Sequence, residues 1–146
     1  ESGGGTLEEG VQIWPLKALI AAENIDLGSR HFGPLSAALV CKLLEKYRPP
    51  VSTLALEKNP ILAEGAVVVA EMIKSNDDVK VLDVKFCGLG PEGLHSLTEA
   101  LKINSSVERF HALQNNVGQD GAKSLLSLLN HIEYKDWKKV FFQVDH

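Results

Sequence analysis

The stretch "VLDVKFCGLGPEGLHSLTEAL", residues 81–101, decides how this chain is read. It opens as a short apolar strand, breaks at a glycine-rich segment and continues as an amphipathic helix. That order suits a phosphate-binding loop, and it suits equally one unit of a repeat. The phosphate reading fails on the residues themselves. "CGLGPEGLH" has no Gly-Lys-Ser/Thr ending, and Gly88-Leu89-Gly90 is not completed by the third glycine of a dinucleotide fingerprint.

The repeat reading succeeds. Residues 51–78, 79–106 and 107–134 align without a gap, 28 residues each. Leu54, Leu82 and Phe110 share a column, as do Leu56, Val84 and Ala112. Asn59, Cys87 and Asn115 follow, then Ile61, Leu89 and Val117, then Gly65, Gly93 and Gly121. Val69, Leu97 and Leu125 form a helical column, and so do Ile73, Leu101 and Leu129; Asn76 and Asn104 close two of the units. A fourth copy lies upstream at a spacing of 29, with Ile25, Leu27, Ala37 and Leu44 in the columns of Leu54, Leu56, Ala66 and Ile73, and Arg30 in the Asn/Cys column.

Each column has a physical reason. Apolar residues two apart make a strand with one buried face, and spacings of three and four make a helix that covers it. The Asn or Cys column is where the chain leaves the strand and a side chain can satisfy backbone groups of successive turns. The glycines at 65, 93 and 121 are expected just before each helix, at a tight turn. No unit buries its apolar face alone, so the units must stack.

The pattern resembles the leucine-rich repeats of the ribonuclease-inhibitor type over about residues 22–134, including the alternation of Asn59, Cys87 and Asn115. "AEMIKSNDDVKVLDV" and "LTEALKINSSVERF" also resemble the repeats of tropomodulin-like actin-capping proteins. The resemblance implies an α/β fold, a right-handed solenoid with a short parallel sheet on the concave face and α-helices on the convex face. The expected layout is a linker or tag remnant at 1–6, an N-terminal cap at 7–21 built as a helix or turn, and four repeats at 22–50, 51–78, 79–106 and 107–134. A C-terminal cap follows at 135–146, holding a final strand beside the fourth repeat strand.

The rest of the chain narrows the function. It has 146 residues, 45% of them hydrophobic, and a formal net charge of −4 with both signs scattered. Without a basic stripe, nucleic acid is not the expected partner, and no apolar run is long enough for a membrane helix. Together with the missing signal peptide, this gives a cytoplasmic expectation. Cys41 and Cys87, 46 positions apart, make neither a disulfide framework nor a metal motif. His31, His95, His111, His131 and His146 show no zinc-enzyme spacing, and no nucleophile elbow accompanies them. The chain is therefore expected to be no enzyme and to need no cofactor or metal.

Function is expected on the outward residues of the strands, which form a grid. Asn24, Thr53, Val81 and Arg109 make one row, Asp26, Ala55, Asp83 and His111 the next, and Gly28, Glu57, Lys85 and Leu113 the third, with Ser29, Lys58, Phe86 and Gln114 just beyond. Asp83 and His111 are expected to pair, and so are Glu57 and Lys85. Thr53, Glu57, Lys58, Val81, Asp83, Lys85, Phe86, Arg109, His111, Leu113 and Gln114 form the candidate partner-binding face, with Phe86 as its anchor. Trp137, Phe141 and Phe142 are an alternative docking patch. The expected activity is non-enzymatic binding of a protein partner. The alternatives are a structural or cytoskeletal, actin-capping-like segment of a larger protein, a regulator of a small GTPase, and self-association through the terminal repeats or the C-terminal aromatic segment.

Overall fold

A computed structural model describes residues 5–7, 11–13, 18, 21–132 and 141–143. Strands β1 (Gly5–Leu7) and β2 (Val11–Ile13) form an antiparallel pair. This pair spans the expected 1–6 linker and the start of the 7–21 cap, and residue 18 of the cap segment is helical. Alternation of apolar and polar residues in "GTLEEGVQI" accounts for the pair, since that period is a strand's and not a helix's.

The body of the fold alternates strand and helix: β3 (Asn24–Asp26), α1 (Pro34–Tyr47), β4 (Thr53–Ala55), α2 (Leu62–Lys74), β5 (Val81–Asp83), α3 (Gly90–Ile103), β6 (Arg109–His111), α4 (Gly118–Ile132) and β7 (Phe141–Gln143). Strands β3 to β7 lie side by side in chain order in one parallel sheet. The helices stack in the same order, α1 on α2, α2 on α3, α3 on α4. Each strand–helix unit therefore packs on its sequence neighbours, the arrangement a repeat with one apolar face per unit must adopt.

Between sheet and helices runs one apolar core. The central residue of each strand from β3 to β6, Ile25, Leu54, Leu82 and Phe110, is buried, and so are Cys41, Leu44, Val69, Ile73, Leu97 and Leu101 from the helices. Burying one such Leu or Ile side chain is worth about 1.5–3 kcal/mol. Leu129 departs from its column. Ile73 and Leu101 are covered by the helix that follows, whereas Leu129 stands on α4, the last helix of the stack among the described residues, and is exposed.

The glycine column also differs from expectation. Gly65, Gly93 and Gly121 lie inside α2, α3 and α4, not in the preceding turns. They permit close approach: a Cβ on Gly93 would stand 3.1 Å from the Ala66 Cβ and 3.2 Å from the Ala63 Cα of the preceding helix. The turns use other residues. Gly90 and Gly118 open α3 and α4 with φ of 63° and 59°, and Leu62 takes the same left-handed conformation, φ 59°, where α2 begins.

Two ladders of side chains lock the units at their edges. Asn115 Nδ2 donates to the carbonyls of Val84, Ala112 and Leu113 at 2.9, 3.0 and 3.2 Å, and its Oδ1 accepts from the N–H groups of Cys87 and Leu89. Asn59 does the same one period earlier, toward Leu27, Leu56 and Glu57 and from Arg30 and Phe32. Cys87, between them, directs its thiol at two carbonyls, its Sγ lying 3.2 Å from that of Leu56 and 3.4 Å from that of Lys85, while the backbone N–H groups of Asn59 and Lys58 face the sulfur. At the opposite edge Asn104 Nδ2 reaches the carbonyls of Ile73 and Asn76, both at 2.8 Å, and Ser106 Oγ adds Asn76 and Val79 at 3.0 Å.

Candidate functional site

The register fixes the outward rows. Asn24, Thr53, Val81 and Arg109 stand in line across the sheet, and Asp26, Ala55, Asp83 and His111 in the next line. The ladder continues past the strand ends. The N–H groups of Ser29, Lys58 and Phe86 donate to the carbonyls of Glu57, Lys85 and Leu113 at 2.9, 2.9 and 3.0 Å. Gly28, Glu57, Lys85 and Leu113 therefore form a third line, and Ser29, Lys58, Phe86 and Gln114 a fourth at the rim.

That fourth row shares one backbone shape. Ser29, Lys58, Phe86 and Gln114 have φ of 56°, 58°, 55° and 57°. A left-handed residue costs an L-amino acid about 1–2 kcal/mol, and for a bulky side chain the conformation is an outlier. Phe86 is nevertheless held there by its ladder bond, with 48% of its surface exposed. Its ring is presented at the rim of the face, and Val81 and Leu113 are half-buried beside the polar rows.

The charges of the face are mutually arranged. Lys85 Nζ lies 3.5 Å from a Glu57 carboxylate oxygen and 3.4 Å from one of Asp83. The Asp83 carboxylate raises the Lys85 ammonium above its ordinary value, partial burial works against it, and Glu57 adds a smaller upward push. Asp83 Oδ1 also accepts the Lys85 backbone N–H at 3.1 Å. The expected pairing of Asp83 with His111 does not form: Asp83 is engaged by Lys85, and His111 Nδ1 is buried without a hydrogen-bond partner. The Glu57–Lys85 pair does form. Thr53 is half-buried, while Lys58, Arg109 and Gln114 are exposed on the same side.

The second patch is only partly in view. Phe141 is in register with Arg109 and Phe142 with Phe110, which puts the backbone of both in the sheet; Trp137 lies outside the described residues. From Arg109 to Phe141 the period is 32 residues, against 28 from Val81 to Arg109, so β7 joins the sheet out of step with the repeat.

Both thiols are buried and free. Burial pushes the Cys41 pKa up to about 12 and the Cys87 pKa up to about 11, the opposite of what a nucleophile needs. Among the described residues no three His, Cys, Asp or Glu side chains are grouped to hold a metal ion, and no helix is long and apolar enough to cross a membrane. A cleft lined by Leu44, Arg48, Met72, Asn76, Asp77 and Asp78 measures about 70 Å³, against roughly 300–1,000 Å³ for an ordinary small-molecule site.

No family model and no curated relative matches the chain. Solved structures do. "Leiomodin-1 Actin-Binding Site 2 (ABS2)" is similar with a TM-score of 0.71 over 90% of this chain and 78% of that one, at 16% identity. The likeness is one of fold. The actin binding in that name is said of that protein, and at 16% identity the likeness shows the fold alone.

Sequence reasoning missed Leu62. It is an apolar, exposed residue with a left-handed backbone, hydrogen-bonded through its N–H to the Cys87 carbonyl beside Phe86. Its signal was present, since Leu62 stands in the column that holds Gly90 and Gly118.

Proposed function

We propose that this chain is a non-enzymatic protein-binding segment of a right-handed solenoid, working in the cytoplasm. Its partner docks across the concave strand face, and actin is the first partner to test. The carrying observation is Phe86, a half-exposed aromatic held in a costly backbone conformation at the rim of polar rows. Aromatic and Arg side chains within a polar rim dominate interface energies, and Arg109 is exposed on the same face. The ladder of backbone and Asn bonds beneath them pre-organises the face, so little ordering entropy is lost when a partner lands. The fold likeness to a structure named for actin binding supports the choice of actin.

The experiment is sedimentation with actin filaments, and titration against monomeric actin, for the wild-type chain and for a variant carrying Phe86→Ala with Arg109→Ala. Wild-type binding that weakens at least tenfold in the variant is expected, about 1.4 kcal/mol or more. Binding that survives the double change refutes the strand face as the site. Absence of binding to both forms of actin refutes actin as the partner.

A further inference from the structure

The helix stack repeats one contact three times, and its two ends carry the two halves of that contact uncovered. Cys41, Ala70 and Thr98 occupy one column, Leu44, Ile73 and Leu101 another, and every one of them is at most 2% exposed. The helix that follows is what meets this side. A Cβ added at Gly65 would meet Ala37 at 3.6 Å, one at Gly93 would meet Ala66 at 3.1 Å, and one at Gly121 would meet Leu94 at 3.2 Å. On α4 the same columns hold Leu126 and Leu129, 58% and 45% exposed.

The opposite side of each helix meets the helix before it. Ser124 on α4 shows this, its Oγ 3.2 Å from His95 Nδ1 on α3. The column of Ser124 holds Ser96, Val68 and, on α1, Leu39, which is 63% exposed. One turn earlier α1 carries Leu35, 85% exposed, in a column at the margin of the contact whose other members, Glu64, Glu92 and Asp120, are exposed acids. The exposed outermost members of these columns, Leu126 and Leu129 on α4 and Leu35 and Leu39 on α1, are all leucine. A stack that ends in water calls for polar outer faces. These ends are apolar.

We propose that the chain associates head-to-tail with a second copy of itself, Leu126 and Leu129 of α4 packing on Leu39 of α1 in the next copy, with Leu35 at the margin of the contact. The contact continues the step that α1–α2, α2–α3 and α3–α4 already make, and a single chain presents both the donating and the receiving face. Because the two faces differ, each added copy leaves one of each open, so assembly extends with concentration and does not stop at two.

Sedimentation equilibrium over a concentration series up to millimolar tests this. The variants are Leu126→Asp with Leu129→Asp, and Leu35→Asp with Leu39→Asp, each checked for wild-type far-UV circular dichroism and melting. The wild-type mass is expected to rise with concentration past that of two chains, and each variant alone to remain monomeric. An equimolar mixture of the two variants keeps one intact face of each kind and is expected to reach two chains and stop. A wild-type chain that stays monomeric throughout overturns the proposal. So does a mass rise that survives either variant, or a dimer abolished by the α4 changes and untouched by those on α1, which would mark a two-fold contact through α4.

Discussion

Replacing Asn115 by Ala tests whether the side-chain ladder holds the units together. The change removes five hydrogen bonds at a fully buried position. The Leu113 carbonyl keeps the Phe86 N–H at 3.0 Å. The N–H groups of Cys87 and Leu89 and the carbonyls of Val84 and Ala112 lose the Asn partner, and at roughly 1 kcal/mol apiece the loss is about 4 kcal/mol. Set against a typical total of about 5–15 kcal/mol, that is a large fraction of the fold's stability. Urea denaturation followed by far-UV circular dichroism reads it as a lower midpoint at unchanged slope. A thermal melt should fall by about 12–16 °C, taking roughly 3–4 °C per kcal/mol. Asn115→Cys supplies the internal comparison. By analogy with Cys87, whose thiol is directed at two carbonyls, it keeps a donor in the rung and replaces the amide oxygen by a weak sulfur acceptor. It should therefore cost about 2 kcal/mol. An Ala variant that loses less than about 1 kcal/mol, or a Cys variant no better than Ala, refutes the reasoning.

Gly93→Ala should destabilise by about 1–2 kcal/mol in the same assay, because the new methyl meets Ala66, Leu89 and Ala63 at 3.1–3.2 Å and overpacking outweighs the gain in helix propensity. Arg48→Gly should stabilise by about 0.5–1 kcal/mol, since Arg48 ends α1 in the left-handed conformation at φ 45°, with its N–H on the Leu44 carbonyl, where glycine is strain-free. Stability should fall at high pH. The folded thiols of Cys41 and Cys87 titrate near 12 and 11 against an ordinary 9.0, so the folded chain keeps protons that the unfolded chain releases. Their contribution is fully present below pH 9.0 and is lost above it, by about 1.4 kcal/mol per pH unit for each thiol until its folded value is reached. Denaturation at pH 8, 9, 10 and 11, with and without Cys87→Ser, checks the slope.

Much of the fold was legible because the repeat carries its own register. Leu54, Leu82 and Phe110 fall in one column of the sequence and in one line of the core, and the outward rows follow by alternation. Reading failed where a residue's role depends on what lies next to it in space. Gly93 looks like a turn glycine in one dimension, yet it is a helical contact point, a fact set by the neighbouring Ala66. Asp83 and His111 are adjacent in register, but Lys85 sits two residues along the same strand path and captures the carboxylate first. Leu129 keeps its column and loses its cover because, among the described residues, α4 is the last of the stacked helices. Phe86 was found as an anchor from its row, whereas its left-handed backbone could be seen only in the structure. Leu62 illustrates the converse, an exception to a glycine column that the sequence displays and periodicity alone passes over.

The alternation of Asn59, Cys87 and Asn115 gives the stack a parity. An Asn rung takes hydrogen bonds through a strong amide oxygen, while the Cys rung offers only a weak sulfur acceptor, so the two kinds do not substitute freely for one another along the ladder. Copying residues 79–106 once and splicing the copy in after itself would set two Cys rungs side by side and break the alternation. Copying 51–106 as a block would preserve the alternation and lengthen the sheet by two strands. The smallest duplication that extends this protein and keeps the parity is thus a pair of units.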